Sequence, residues 1–171
     1  MSKGVLTFFC GKMGAGKSTK ACEIAQANAA ILLSEDEWLE SLYPNKITSL
    51  EDYIYYSGLL KPQMKTLVQS ILIAGTDVVM DFPANTIAQR LWFKSIFTEI
   101  EAPHRLIYID MPDEVCLEQI GKRRIEQPSR AATDTAQMFK QVSKHFVAPT
   151  FDEGFEITVV AKNSGAGAKS L

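Results

Sequence analysis

Short apolar runs alternate with longer amphipathic stretches along the 171-residue chain. Apolar runs rich in β-branched and aromatic residues are typical of buried strands, whereas apolar positions three and four residues apart are typical of helices. The pattern predicts strands over residues 5–10, 30–34, 77–81, 104–109 and 156–160. It predicts helices over residues 18–27, 35–41, 50–74, 86–100, 113–125 and 133–145. This alternation predicts a three-layer α/β fold, in which helices cover both faces of a doubly wound, parallel, five-stranded sheet.

Two of these helices carry expectations about their internal structure. Gly58 and Pro62 predict a break in the helix over 50–74, because both residue types weaken a helix interior. The apolar spacing of the helix over 86–100 predicts one inward-facing side. The residues expected on that side are Ile87, Leu91, Ile96, Phe97 and Ile100.

Composition sets limits on the class of protein. The length predicts a single domain, which we place at residues 1–161, and the small residues of 162–171 predict a flexible C-terminal tail. The hydrophobic fraction of 46% is sufficient for a full core. A formal net charge of −2 argues against a broad basic surface for nucleic acid. The absence of a long apolar run or an apolar leader predicts a cytoplasmic protein without a membrane span.

Cysteine and histidine offer no metal or disulfide pattern. Cys10, Cys22 and Cys116 lack the spacing of such a framework, so we expect small core residues in a reduced protein. His104 and His145 lie far apart in the sequence without partner ligands nearby, which favours structural or surface roles.

Residues 11–18 read Gly-Lys-Met-Gly-Ala-Gly-Lys-Ser and match the phosphate-loop pattern G-x-x-x-x-G-K-S/T at every fixed position. The motif follows a predicted strand and precedes a predicted helix, so backbone N–H groups and a helix N-terminus would surround a nucleotide's phosphates. Lys17 is expected to reach the β- and γ-phosphates, and Ser18 to hold Mg²⁺. The alternative is a glycine-rich turn at the head of a helix. The expected nucleotide contacts are Gly11, Lys12, Met13, Gly14, Ala15, Gly16, Lys17, Ser18 and Thr19.

Acidic residues follow the second and third predicted strands, at the sheet edge where ligands of parallel sheets bind. Asp36 is predicted to take the proton of an attacking hydroxyl, in preference to Glu35 and Glu37. The alternative is that these acids only stabilise a helix N-terminus, which Ser34 would cap. Asp81 is predicted to hold Mg²⁺, directly or through water, or to bind the acceptor.

A basic cluster, Lys122-Arg123-Arg124, ends a predicted helix, and Arg130 follows after a Pro-Ser break. This arrangement predicts a mobile lid whose arginines stabilise charge on the transferred phosphoryl group. We assign the catalytic role to Arg124 and Arg130, with Arg123 as the alternative to Arg124. A basic helix end that complements the helix dipole is the structural alternative for the cluster.

Three further polar residues follow the third strand. Arg90 is either a solvated surface residue or a grip for an anionic acceptor. Asn85 and Thr86 are more simply explained as caps of the helix that begins there.

Together, the phosphate loop, the acid after the second strand, the aspartate after the third strand and the arginine lid resemble the small P-loop kinases. This group includes the kinase domain of polynucleotide 5′-kinases, the zeta toxins, chloramphenicol phosphotransferase and many AAA-type predicted kinases. The resemblance covers roughly residues 4–160 and implies a P-loop NTPase fold with a small arginine lid. It implies that Asp36 is the general base, that Asp81 and Arg90 serve the acceptor side, and that Arg130 acts with Arg123 or Arg124.

The resemblance implies an ATP-dependent kinase that phosphorylates a hydroxyl of an unidentified small molecule, with Mg²⁺ as cofactor. Polynucleotide kinases carry an arginine where this chain has Leu39, which argues against a nucleic-acid acceptor. A polynucleotide or nucleoside 5′-hydroxyl kinase remains one alternative. Another is an NTPase or switch without an acceptor, and a third is a nucleotide-binding interaction module. In similar kinases the segment before the last strand, here residues 149–151, lies near the base.

Overall fold

The computed structural model of the protein describes residues 2–161; Met1 and the predicted tail at 162–171 lie outside the described residues. Within residues 2–161, five strands form one sheet: β1 (Leu6–Cys10), β2 (Ile31–Ser34), β3 (Val78–Pro83), β4 (His104–Asp110) and β5 (Ile157–Ala161). The helices are α1 (Lys17–Ala27), α2 (Glu35–Leu42), α3 (Leu50–Ile73), α4 (Ile87–Thr98), α5 (Asp113–Glu126) and α6 (Ala136–Ser143). Short 3-10 turns occur at Pro128–Arg130 and Phe151–Glu153.

The strands lie in the order β2-β3-β1-β4-β5, and every neighbouring pair is parallel. This arrangement confirms the predicted five-stranded parallel sheet. All five residues of β1 are buried, because the central strand of a parallel sheet is covered by helices on both faces. The carboxyl ends of β1, β2 and β3 therefore meet at one edge, where Ser34 lies in register with Asp81.

Two hydrophobic clusters, one on each face of the sheet, form the core. Successive side chains of a strand point to opposite faces, so Phe8 belongs to one cluster and Phe9 to the other. Phe8 stacks on Phe93 of α4 with ring centroids 4.4 Å apart. On the other face, Phe9 shares its cluster with Ala21 of α1 and Cys116 of α5. The clusters fix α1, α4 and α5 against the strands that carry the candidate site.

The predicted break in α3 is wrong, because the helix runs without interruption from Leu50 to Ile73. Pro62 lies inside it and supplies no N–H for the helical hydrogen bond. The proline ring faces the carbonyl four residues earlier, which belongs to Gly58. Packing of Leu60, Met64 and Val68 into the core holds the helix together past this position.

The predicted inward face of α4 is wrong at two of its positions. Ile87 and Leu91 are 52% and 60% exposed, whereas Ile96 and Phe97 are buried as predicted. The inward face instead includes Phe93 and the fully buried Arg90. A hydrophobicity pattern counts arginine as polar, so it rotates the predicted face away from the true one.

The cysteines and histidines behave as structural or surface residues. Cys10 and Cys116 are buried as predicted, whereas Cys22 is exposed on α1, so that part of the prediction is wrong. The His104 ring stacks on Phe97 at 3.9 Å, and its Nε2 accepts a hydrogen bond from the Glu156 N–H at 3.1 Å. Among residues 2–161 no helix combines the length and the apolar character needed to cross a membrane.

Candidate functional site

The phosphate loop connects β1 to α1 and depends on two glycines with left-handed backbone. Gly14 has φ 79° and Gly16 has φ 103°, values that residues other than glycine rarely adopt. A Cβ on Gly14 would approach the carbonyl oxygen of Cys116 to 2.5 Å, whereas one on Gly16 would meet nothing within 4 Å. Packing against α5 therefore requires glycine at 14, and backbone conformation requires it at 16.

Lys17 lies at the centre of the loop. Its Nζ donates hydrogen bonds to the carbonyl oxygens of Gly11 and Lys12, the latter at 3.0 Å, so the loop curls around the amine. Burial lowers the pKa of Lys17, and the charge of Asp81 opposes that shift. The amine is thus held where it can meet the negative charge of a bound polyphosphate.

The first turn of α1 completes the anion-binding geometry. Gly16 is the N-cap and provides no side-chain hydrogen bond, so the first N–H groups of the helix have no capping partner from that residue. Ser18 and Thr19 are exposed, whereas Gly11 and Ala15 are buried beneath the loop. A helix N-terminus of this kind favours phosphate. The half-buried residues of the motif are Lys12, Met13, Gly14 and Lys17.

Ser18 and Asp81 present a hydroxyl and a carboxylate near Lys17. Burial raises the pKa of Asp81, while a hydrogen bond with Ser18 and the charge of Lys17 lower it. A hydroxyl and a carboxylate fit Mg²⁺, which typically takes one or two protein oxygens and completes its shell with phosphates and water. The residues present therefore match the predicted metal site.

The acids after β2 occupy different environments. Ser34 caps α2 as predicted, since its Oγ accepts a hydrogen bond from the Glu37 N–H at 3.5 Å. Asp36 is exposed at the sheet edge. Glu35 is only 2% exposed and accepts hydrogen bonds from the hydroxyls of Tyr53 and Ser57, the latter at 2.8 Å.

Burial raises the pKa of Glu35 to about 7, and the negative charge of Asp36 adds to that shift. The hydrogen bonds from Tyr53 and Ser57 act in the opposite direction. Glu35 thus joins α2 to α3 below the surface, whereas Asp36 and Glu37 are the exposed acids of this turn.

The lid arginines converge on a single carboxylate. The Nε and Nη2 of Arg123 each donate to Asp134 at 2.7 Å, and the Nε of Arg130 donates to the same residue at 3.2 Å. The Nη1 of Arg130 also donates to Asp36 at 3.1 Å. Arg124 is exposed and has no ion pair within the described part of the chain. The structure therefore joins Arg123, and not Arg124, to Arg130 through Asp134. The assignment of Arg124 or its alternative Arg123 to the lid stays a prediction.

Arg90 does not lie where the sequence placed it. It is 0% exposed, and its Nε pairs with Glu153 at 2.8 Å. Its Nη1 donates to the carbonyl oxygens of Ala84 and Val147, at 2.9 and 2.8 Å. Burial contradicts both the solvated and the acceptor-gripping interpretations. The guanidinium instead ties α4 to the segment before β5.

Sequence reasoning missed two contributors to the site. The Oδ1 of Asn85, in the turn between β3 and α4, accepts a hydrogen bond from the Gly11 N–H at 2.9 Å and so supports the phosphate loop. Of the two predicted caps, only Thr86 caps α4, and its side chain forms a capping box with that of Gln89. The position of Asn85 in the short turn after β3 was the available signal. Asp134 was missed because no local pattern marks it.

A small cavity lies beside the loop, on the side of β4. It has a volume of about 150 Å³ and is lined by Lys12, Tyr108, Ile109, Asp110, Met111 and Phe146. The Nζ of Lys12 pairs with Asp113 at 2.8 Å and lies 5.6 Å from the ring centre of Phe146. An aromatic ring and a lysine thus flank the space next to the phosphate cradle.

A family described as AAA domain matches residues 6–148 of the chain. The chain belongs to this AAA domain family. No curated protein matches the chain. The predicted resemblance to small P-loop kinases is confirmed by this match and by the folds of similar solved structures.

Three solved structures illustrate the shared fold. The Mycobacterium tuberculosis APS kinase CysC, in complex with AMPPNP and APS, is 14% identical, with 96% of this chain and 92% of that chain covered and a TM-score of 0.65. Chaetomium thermophilum Kti12, in complex with ADP-AlF3, is 15% identical over 94% and 90% of the two chains, with a TM-score of 0.66. A sugar kinase from a Janibacter species is 17% identical over 94% and 86%, with a TM-score of 0.61.

Proposed function

We propose that this protein is a kinase that transfers the γ-phosphoryl group of ATP to a hydroxyl of a small molecule. The observation that carries the proposal is the exposed carboxylate of Asp36, at the same sheet edge as the phosphate loop and bonded to Arg130. A switch or simple NTPase has no need of a base directed at an acceptor. A base beside the phosphate site is what acceptor phosphorylation requires.

The reaction assigns one role to each group. Lys17 and the N-terminus of α1 bind the β- and γ-phosphates, and Ser18 and Asp81 would hold Mg²⁺. When bound, the metal neutralises charge on the phosphates. Asp36 accepts the proton of the acceptor hydroxyl while the hydroxyl oxygen forms a bond to the γ-phosphorus. At the same time, the bond between the γ-phosphorus and the β–γ bridging oxygen breaks, and ADP leaves with that oxygen. Arg123 and Arg130 stabilise the charge on the transferred group.

Two observations bear on the partners. The cavity next to Lys12 and Phe146 offers an aromatic surface for a base, and the similar structures of APS kinase and Kti12 were solved with AMPPNP and ADP-AlF3, which supports ATP as donor. Leu39, at the position where polynucleotide kinases carry an arginine, is only 3% exposed and belongs to the core. That burial argues against the polynucleotide alternative.

The test measures transfer from γ-labelled ATP with Mg²⁺ to a panel of nucleosides, sugars, nucleotide-sugars, antibiotics and short oligonucleotides. Asp36→Asn should keep ATP binding and lower transfer about 10²- to 10⁴-fold, the range for loss of a general base. Glu40→Gln, an exposed acid of the same helix, is the matched control and should transfer at the wild-type rate.

The outcomes separate the alternatives. Label on one acceptor class, lost only in Asp36→Asn, would establish the kinase and its substrate class. Equal transfer by Asp36→Asn and wild type would remove Asp36 from the role of base. Steady phosphate release by both proteins, with no labelled acceptor, would favour the NTPase.

A further inference from the structure

Asp134 is a buried carboxylate that lies outside the roles assigned above. It is 1% exposed and accepts hydrogen bonds from Arg123 at 2.7 Å twice and from Arg130 at 3.2 Å. Its own N–H donates to the Arg130 carbonyl at 2.7 Å, and Thr135, the next residue, caps α6. One side chain therefore joins the end of α5, the turn at Pro128–Arg130 and the start of α6.

The charges of this group are unevenly distributed. Arg123, Arg130 and Asp134 together carry a net charge of +1, which the exposed Asp36 offsets through its 3.1 Å contact with Arg130. Asp134 holds its partners in a buried place, whereas the contact to Asp36 is at the surface. Since exposed ion pairs are worth little, the Asp36 contact is the one that an incoming phosphate can replace.

Arg123 lies on the side of this cluster that is near Lys17 and the phosphate loop. Burial is the largest cause that lowers the pKa of Lys17, and the positive charge of Arg123 lowers it further, while the charge of Asp81 opposes both. The two-pronged pairing of Arg123 with Asp134 fixes the plane of its guanidinium, as paired N–H groups on one carboxylate do. A guanidinium held this way does not need to be ordered when the phosphoryl group arrives.

We propose that Asp134 is the positioning residue of the lid, holding Arg123 and Arg130 as one unit so that both reach the transferred phosphoryl group together. This rests on the proposed function for the reaction itself, and it adds a residue that touches neither nucleotide nor acceptor. A purely structural role would lower stability and all ligand binding alike. A positioning role lowers binding of the transition state selectively.

The experiment compares the affinity of the full chain for ADP with its affinity for ADP and aluminium fluoride, both with Mg²⁺, by titration calorimetry. The fluoride complex mimics the phosphoryl group in transfer and needs no acceptor. Wild type should prefer it by about 100-fold, within the range of transition-state mimics. Asp134→Asn should bind ADP within about threefold of wild type, yet lose most of this preference because the paired geometry is lost.

Matched variants keep the result interpretable. Glu118→Gln removes an exposed carboxylate from α5, where it pairs with Lys122 at 3.7 Å, and should retain the wild-type preference. Asp134→Glu keeps the charge and should recover part of the preference. Arg123→Gln combined with Asp134→Asn should lose less than the product of the two single losses, because both changes remove the same interaction.

An unchanged preference in Asp134→Asn, or equal losses for ADP and the mimic, would overturn the positioning role. The proposed function fails separately, if wild type labels no acceptor. In that case a selective loss of the mimic in Asp134→Asn would still establish Asp134 as the lid's positioning residue, in an NTPase. If Asp134→Asn does not change phosphoryl transfer, the proposed kinase activity is retained and the positioning role of Asp134 is rejected.

Discussion

Glu35 and Asp36 are neighbours in the chain, yet the start of α2 gives them opposite environments. Successive helical residues point about 100° apart, so Glu35 lies between α2 and α3 while Asp36 faces solvent and Arg130. Burial raises the pKa of Glu35 to about 7 despite the hydrogen bonds from Tyr53 and Ser57, so its protonation is sensitive to pH near neutrality. At this scale the identity of a residue matters less than which side of the helix it occupies.

Glu35 gives a signed prediction for stability. Its pKa rises from 4.5 to about 7 on folding, so between these values the folded state binds more protons than the unfolded state. The contribution of Glu35 is complete below the lower value and is lost as pH rises through about 7. Relative to Glu35→Gln, wild type should therefore lose about 3 kcal/mol of unfolding free energy between about pH 4 and pH 8.

Urea denaturation of both proteins across that pH range checks the prediction. Glu40→Gln serves as the control, because Glu40 is exposed on the same helix and its difference from wild type should not change with pH. A constant difference between wild type and Glu35→Gln would show that burial does not raise the pKa of Glu35.

At the scale of elements, α4 is joined to the segment before β5 by a buried arginine and a lysine. Arg90 bonds Val147 and Glu153, and the Nζ of Lys94 donates to the Glu153 carbonyl at 2.8 Å. The turn between β3 and α4 supports the phosphate loop, because Asn85 in that turn accepts a hydrogen bond from the Gly11 N–H. These contacts fix the positions of α4, the segment before β5 and the phosphate loop relative to one another.

Arg90→Met should lower the free energy of unfolding by about 3 kcal/mol, because removing one partner of a buried ion pair leaves the other charge and two carbonyls without donors. The matched control is Lys65→Met, which breaks the exposed contact of Lys65 with Glu99 at 2.6 Å. That change should cost less than about 1 kcal/mol. Chemical denaturation measures both, and equal losses would contradict the buried role.

At the scale of the whole molecule, the strand order decides where the chemistry lies. β1 occupies the centre, with β3 on one side and β4 on the other. One edge of the sheet consequently carries the phosphate loop after β1, Asp81 on β3 and Asp36 after β2. Lys17 and Asp81 meet there although they are 64 positions apart in the sequence. The arginines of the predicted lid lie at the end of α5 and in the turn before α6, two helices that pack on the face opposite α3 and α4.

A bound nucleotide should stabilise the whole domain. With Mg²⁺ and ATP at about 100 times the dissociation constant, linkage predicts a gain of about 2.7 kcal/mol and a rise in Tm of several degrees. Lys17→Ala should keep nearly the wild-type Tm without nucleotide and lose most of the rise, since its amine bonds only the loop itself. Differential scanning calorimetry checks this, and an equal rise in both proteins would contradict nucleotide binding through Lys17.

The sequence by itself determined what local spacing encodes. The phosphate loop, the five strands and the cap at Ser34 follow from neighbouring residues, and the structure confirms the strands and that cap. A parallel sheet follows from alternating elements because crossover helices join its strands. The acidic turn was visible too, although spacing could not assign Glu35 to the core and Asp36 to the edge.

Only the tertiary structure decided the contacts between distant residues. Arg90 became a core residue because Glu153 and two carbonyls accept hydrogen bonds from its Nε and Nη1, and α3 passes Pro62 because packing holds it. The pairing of Arg123, rather than Arg124, with Asp134 joins residues that lie eleven positions apart along the chain. Burial and long-range hydrogen bonds set these outcomes, since desolvation and partner geometry depend on what the folded chain brings together.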